Sequence, residues 1–256
     1  TDIHVGSPRS FRFQPAWNEN WQTARQQIIQ INPDLLLIGG DLTRDGNIHK
    51  YEFENLKADL DTLPFPYHVI PGNMDTNNKR TRVPGPLPGR NDVELNVTSE
   101  NLCHYREVFG TPWWTFVHKD VRFSAFGGML LGSGLSEERE LWAWLEAQQD
   151  QPRSRYHIWL THYPLFTVDL HESNYDITDP EQYFNWYFGL DEPYRSRVFE
   201  IMKATGVTHV LSGHVHMRKR FYVEGVHFDI GASTAFTQAG IRSWTDGDRT
   251  LGVQRY

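Results

Sequence analysis

The sequence predicts an α/β fold with a mostly parallel sheet covered by helices. Three observations carry this reading. Short apolar runs alternate with longer segments of helical periodicity, in β-α-β-α-β order. Each apolar run breaks into Gly, Pro or polar turn residues, as in "DLLLIGGD" and "YHVIPGNMD". No repeat or linker divides the 256 residues, so a single domain is expected over 1–256.

The elements follow in order. Residues 16–31 place Trp17, Trp21, Ala24 and Ile28 on one face at helical spacing, and Pro33 ends that helix. "DLLLIGGD" is a buried strand running into a tight turn. "YEFENLKADLDTL" is a helix with Leu56, Leu60 and Leu63 on one side, and "YHVIPGNMD" is a strand breaking at Pro71-Gly72. Residues 80–92 are Pro/Gly-rich and read as a surface loop. "SENLCHYREVFG" is a helix ending at Gly110, and "WWTFVHKDVRFSAFGG" is a hairpin around "HKD". "SEERELWAWLEAQQ" is a helix with Ser136 expected as its N-cap. "YHIWLTHYP" is a strand stopping at Pro164. Residues 165–192 form a long aromatic excursion, partly helical, expected as a cap over a pocket through Tyr175, Tyr183, Trp186 and Tyr187. "YRSRVFEIMKATG" is a helix closed by Gly206. "THVLSGHVH" is a strand into a turn, and "RFYVEGVHFDIG" is a hairpin turning at Glu224-Gly225.

Composition narrows the function. The formal net charge of −7 and the lack of a basic stripe argue against a nuclease or general nucleic-acid binder. The single Cys103 rules out an internal disulfide framework and a Cys-rich zinc site, and reads as a small buried hydrophobe. No apolar run reaches the length of a membrane span. "NVT" at Asn96 is a formal glycosylation sequon. Both ends read as trimmed, so a signal or transit segment upstream would leave no trace. The compartment is open, with a slight lean to the cytoplasm, and so is the oligomeric state.

The polar residues that stand out share one setting. Asp2 and His4 ("TDIH"), Asp41 ("GGD"), Asn73 and Asp75 ("PGNMD"), His162 ("LTHYP") and His214 and His216 ("SGHVH") each lie at or just past a turn near an apolar run. In open α/β sheets the strand ends crowd along one rim, where ligands bind. Carboxylate, amide and imidazole donors without a thiolate suit Mn, Fe, Zn or Ni better than a calcium or magnesium cage. Seven such donors, from Asp2, His4, Asp41, Asn73, His162, His214 and His216, exceed one tetrahedral ion and match two ions sharing a carboxylate. Such a pair binds a phosphoryl oxygen and acidifies a water.

The order D-x-H, G-D, G-N-x-D, H, G-H-x-H resembles the calcineurin-like metallophosphoesterase family. The resemblance runs from Asp2 to His216, with further similarity in "GAST". "GGDLTRDG" followed by a helix and "PGN" looks most like the branch of class III cyclic-nucleotide and glycerophosphodiester phosphodiesterases. The resemblance implies a two-sheet β-sandwich flanked by helices, in four αββα layers. It implies that Asp2, His4 and His216 hold one metal ion and that Asn73, His162 and His214 hold a second. Asp41 would bridge them, with Asp41, Asn73 and Asp75 in the catalytic machinery. The ions implied are two of Mn, Fe or Zn. The reaction implied is in-line attack of a bridging hydroxide on the phosphorus of a small phosphate ester.

The chain departs from this pattern at Met74. The family usually has His there, oriented by Asp75, to protonate the leaving oxygen or steady the phosphoryl group. A thioether has no titratable proton. The expectation is therefore a phosphodiesterase weak on alkyl monoesters, with Asp75 left without its usual partner. His104 and His171 are candidate replacement donors. A pyrophosphatase or nucleotide-diester hydrolase runs the same reaction with another leaving group. The competing reading is a catalytically impaired member acting as a metal-binding or protein-interaction scaffold.

Overall fold

The computed structural model describes residues 1–167, 171–238 and 247–256. The first half of the chain builds a small parallel sheet under helices. Helix α1 (Pro15–Ile31) starts with Pro at its first turn and stops at Asn32, which takes a left-handed conformation (φ 49°) ahead of Pro33. Strand β1 (Leu36–Gly39), helix α2 (Lys50–Leu60) and strand β2 (Tyr67–Ile70) follow, with β1 and β2 paired in parallel. Trp21, Ala24 and Ile28 of α1 and Phe53, Leu56 and Leu60 of α2 are buried against Ile38 and Val69 of these strands. The short helix α3 (Asn73–Thr76) caps the turn after β2, and α4 (Ser99–Phe109) adds Tyr105 to the same core.

The second half builds the larger sheet. Strands β3 (Trp113–His118) and β4 (Val121–Phe126) form the expected hairpin. Helix α5 (Ser136–Ala147), strand β5 (Tyr156–Thr161), helix α6 (Tyr183–Phe188), helix α7 (Tyr194–Ala204) and strands β6 (His209–Ser212), β7 (Lys219–Val223) and β8 (Val226–Ile230) complete it. The strand order is β3-β4-β5-β6-β8-β7. Its centre, from β4 through β5 and β6 to β8, is parallel, and the outer hairpin strands β3 and β7 are antiparallel.

Side-chain alternation makes this a sandwich. Successive strand residues point to opposite faces. Trp159 and Phe126 therefore enter the core under α5 and α7, beside Leu141, Leu145, Val198 and Met202. Their neighbours Leu160 and Ala125 face the other way and pack with Ile70 and Leu37 of the small sheet. The layers are thus α1/α2/α4, small sheet, large sheet and α5/α7, the αββα arrangement expected.

Several local readings are sharpened. The closing hairpin turns at Glu224-Gly225 with φ of 51° and 82°, the paired left-handed residues of a two-residue turn. The N-cap of α5 is Leu135 rather than Ser136, which lies in the first turn and donates to Glu137. Strand β5 ends at Thr161, before Pro164, because His162 must turn toward Gly39. Cys103 is exposed on α4 rather than buried. Asn96 is tied on both sides of its amide, accepting from Thr81 N and donating to Thr81 O, each at 2.8 Å. Among the described residues no helix is long and apolar enough to cross a membrane.

Candidate metal centre

The five sequence blocks meet on one rim of the sandwich. Asp2, His4, Asp41 and His216 form one buried group, and Asp41, His162 and His214 a second. Within each group the potential ligand atoms lie within 4.8 Å of one another, and Asp41 belongs to both. Asn73 joins the second group, its Oδ1 3.1 Å from His162 Nε2. All seven residues are between 0 and 4% exposed. Burying this many polar groups is costly unless they find partners.

Backbone geometry aims them. Asp2, His4, Asp41, His214 and His216 all have positive φ, between 47° and 70°. This left-handed region is sparsely used except by Gly, Asn, Asp and His. Asp2 N donates to Gly40 O at 2.9 Å and His4 N to Asp41 O at 3.0 Å, which ties the first block to the "GGD" turn. His214 N reaches both carboxylate oxygens of Asp2 at 3.1 Å. Gly72 lets the "PGN" turn press on Asp41, since a Cβ there would lie 2.2 Å from Asp41 N and Oδ1. Ser233 of "GAST", fully buried, donates to Asp2 O at 2.8 Å.

The hydrogen bonds assign the rings. His162 Nδ1 lies 2.8 Å from Gly39 O and His216 Nδ1 2.8 Å from Phe236 O, so each Nδ1 carries a proton. His214 Nε2 lies 3.0 Å from Tyr187 O, which leaves its Nδ1 as the acceptor. Asn73 Nδ2 donates to the Tyr187 hydroxyl at 3.2 Å, so its Oδ1 faces the cluster. Ligand-type atoms then crowd together, and His4, whose Nδ1 has no partner among the described residues, can donate from its Nε2. His216 Nε2 faces His4 Nε2 at 3.1 Å and Asp2 Oδ1 at 3.2 Å. His162 Nε2 faces Asn73 Oδ1 at 3.1 Å and Asp41 Oδ1 at 3.3 Å. Acceptors this close repel unless protons or metal ions lie among them. The donor set therefore fits the two-ion centre that the sequence suggests.

The metal-free electrostatics show where protons stand in. Burial disfavours charge on His162, yet the Asp41 carboxylate overrides it and holds the ring's pKa up at about 9. Burial would raise Asp41 and Asp2, but the facing imidazoles, His162 and His216 respectively, carry both below the ordinary carboxylate range. Burial drives His4 and His214 down to about 3, so both are neutral at pH 7.

The Met74 backbone N donates to Asp41 Oδ1 at 2.8 Å, so position 74 helps to hold the shared carboxylate. Asp75 is not left idle. Its carboxylate accepts from Leu42 N at 3.0 Å, Thr43 N and Thr43 Oγ1 at 2.9 Å, and Gly72 N at 2.8 Å. It clamps the "GGDLT" turn to the "PGN" turn. Burial and the nearby Asp41 charge push it up to about 7, against the pull of these donors.

Neither replacement histidine joins the cluster. His104 points its Nδ1 at Gly46 O, 3.2 Å away, and His171 is exposed. Within 165–192, residues 168–170 lie outside the described residues. Of the four aromatics named in this excursion, Tyr187 touches Asn73 and His214 directly. Phe236 was not singled out by sequence, Trp17 was read only as part of the apolar face of α1, and Ser233 only within "GAST". Phe236 packs its ring on His4 and His216 at 5.0 and 4.3 Å. Trp17 lies 4.9 Å from Phe236 and 6.2 Å from His4. "GAST" was a usable signal for Ser233, whereas Phe236 carried none.

Known structures share this fold. A purple acid phosphatase, PPD1, from yellow lupin (Lupinus luteus) seeds matches with TM-score 0.61 at 18% identity, over 96% of this chain and 45% of the lupin chain. The present chain thus spans under half of that protein. A dimetal phosphatase from Danio rerio matches with TM-score 0.53 at 12% identity, over 91% of this chain and 86% of the other. GAP50, the anchor in the inner membrane complex of Plasmodium, matches with TM-score 0.50 at 12% identity, over 89% of this chain and 70% of its own. At these identities the likeness is one of fold. No curated protein matches in sequence. The sequence model for calcineurin-like phosphoesterases matches residues 1–218, which include Asp2, His216 and every clustered residue between them, and the chain therefore belongs to the calcineurin-like phosphoesterase family.

Proposed function

We propose that the chain is a metal-dependent phosphoesterase that favours phosphodiesters and other small esters with acidic leaving groups. The observation that carries this reading is the convergence of seven buried potential ligands in two groups that share Asp41. Asp2, His4 and His216 would hold one ion, Asn73, His162 and His214 the other, and Asp41 both. When bound, such ions supply Lewis acidity toward a phosphoryl oxygen and acidify a water. Mn, Fe and Zn suit the donor types.

The chain's own residues set the substrate preference. The Gly39, Phe236 and Tyr187 carbonyls hold the imidazole tautomers, and Asp75 holds the two turns together. Met74 offers no proton where the leaving oxygen departs. An alkoxide then leaves poorly, while a phenolate or a phosphate leaves well. The missing acid is worth about 10²–10⁴ in rate.

A panel of aryl diester, aryl monoester and alkyl monoester tests this on protein of measured metal content. The expected order is aryl diester first and alkyl monoester last, and Met74→His raises the alkyl rate by about 10²-fold or more. A preference for alkyl monoesters in the unaltered chain would sink the proposal. Met74 also supports a second reading, a metal-binding or interaction scaffold, as the same fold serves an anchor in GAP50. Absence of transition metal, together with no gain from Met74→His, favours the scaffold.

A further inference from the structure

Tyr187 is held in place from several directions. It lies on α6, whose Tyr183 hydroxyl donates to the buried Asp92 at 2.9 Å. Beyond it, the buried Lys79 donates to Gly189 O at 2.6 Å, and Arg195 donates to Leu190 O at 3.3 Å. The Tyr187 ring packs on His214 at 5.0 Å, and the Arg90 guanidinium lies over it, also at 5.0 Å. Arg90 is anchored through Nε to Asp92 at 2.7 Å.

The hydroxyl has one capacity left over. It accepts from Asn73 Nδ2 at 3.2 Å. Its own proton has no acceptor among the described residues. A phenol held rigidly beside a cation, next to the amide of a proposed metal ligand, is a preorganised donor for developing negative charge. It stands beside the block in which Met74 replaces the usual imidazole.

We propose that the Tyr187 hydroxyl donates a hydrogen bond to a non-bridging phosphoryl oxygen of the bound ester, supplying the phosphoryl contact that position 74 has lost. This inference rests on the phosphoesterase reading. Tyr187 gives up no proton. The water oxygen bonds phosphorus, the ester P–O bond breaks with its electron pair on the leaving oxygen, and of the two water protons one goes to solvent while the other stays on the product phosphate until it ionises. Tyr187 remains a phenol throughout, so the preference for acidic leaving groups is kept. Tyr187 thereby becomes a catalytic residue contributed by the aromatic excursion.

The test is a double-mutant cycle between Tyr187→Phe and Met74→His, read as kcat and KM on an aryl diester, with metal content measured for each variant. Tyr187→Phe is expected to keep its metal and lose about 10²-fold in kcat. In the Met74→His background, where an imidazole can make the contact, the loss shrinks below about tenfold. Equal losses in both backgrounds, an unchanged rate, or loss of metal from Tyr187→Phe would each overturn the role, the last by reducing Tyr187 to a positioning residue for Asn73. If neither the unaltered chain nor Met74→His hydrolyses any ester, the phosphoesterase reading falls and this inference with it. Hydrolysis by the unaltered chain with an unaffected Tyr187→Phe overturns this inference alone.

Discussion

The half of the site with Asp2, His4 and His216 and the half with Asn73, His162 and His214 share Asp41 but are anchored differently. The first is braced by the scaffold itself. Its backbone bonds run to Gly40 and Asp41, Ser233 holds Asp2 O, and Phe236 supports both histidines. The second leans on the aromatic excursion. Tyr187 fixes the Asn73 amide through its hydroxyl and the His214 tautomer through its carbonyl, while His162 is held at Gly39 and the His214 backbone N at the Asp2 carboxylate. One family pattern can therefore rest on two kinds of support. A change that displaces the Tyr187 backbone carbonyl should act on one half and leave the other intact.

The largest expected effect removes the distinction altogether. Asp41→Asn takes away the carboxylate that both halves use. Metal content should fall from two ions to one or none, and aryl diester hydrolysis by on the order of 10³-fold, checked by elemental analysis and initial rates. Two ions retained at full affinity would show that the halves do not depend on a common ligand.

A smaller change should split them. Ser233→Ala removes the hydroxyl that donates to Asp2 O and accepts from Ala235 N at 2.9 Å. It should cost about 1 kcal/mol of stability in thermal unfolding. It should also weaken one of the two ions by about 10–100-fold, leaving the other unchanged in a stepwise chelator titration. Equal weakening of both would erase the comparison.

The subtlest test uses protons. The metal-free His162 is held up at about 9, while His4 and His214 lie near 3. His162 is raised above its unfolded value of about 6.5. Its pairing with Asp41 therefore stabilises the metal-free protein fully below that value and is lost as pH rises through about 9. A metal ion needs the neutral ring. Loading the second half at pH 7 should thus release a proton, and its affinity should rise about tenfold per pH unit up to about 9. His4 and His214 should release none. Calorimetry in buffers of different ionisation heat counts these protons, and no release at pH 7 would contradict the assignment of the charged ring to the second half.

Much of this was readable from residues. The helices at 16–31 and 99–109 and both hairpins carry their periodicity and turn residues locally, and they form close to where the pattern put them. The five polar blocks were legible because each lies at a turn near an apolar run. Ser136 misled because a serine before an apolar run matches a cap, whereas Leu135 holds the extended conformation that the cap position requires. Cys103 misled because composition favours burial for a lone cysteine, while its place on the outer side of α4 was decided by which face carries Leu102 and Tyr105. Asp75 was expected to be stranded by Met74. Gly72 N is a local donor at the start of α3, but its other donors come from residues 42 and 43, over thirty positions away, and nothing local announces those.

The sequence by itself determined the fold class, the order of elements and the donor types that gather at the rim, because periodicity, turn chemistry and ligand hardness are properties of residues and their near neighbours. Only the tertiary structure decided how those donors face one another. The contacts that set each tautomer and amide join residues far apart: His162 to Gly39 across 123 positions, Asn73 to Tyr187 across 114, Ser233 to Asp2 across 231. Packing of two sheets brings such pairs together, and no window along the chain contains both partners.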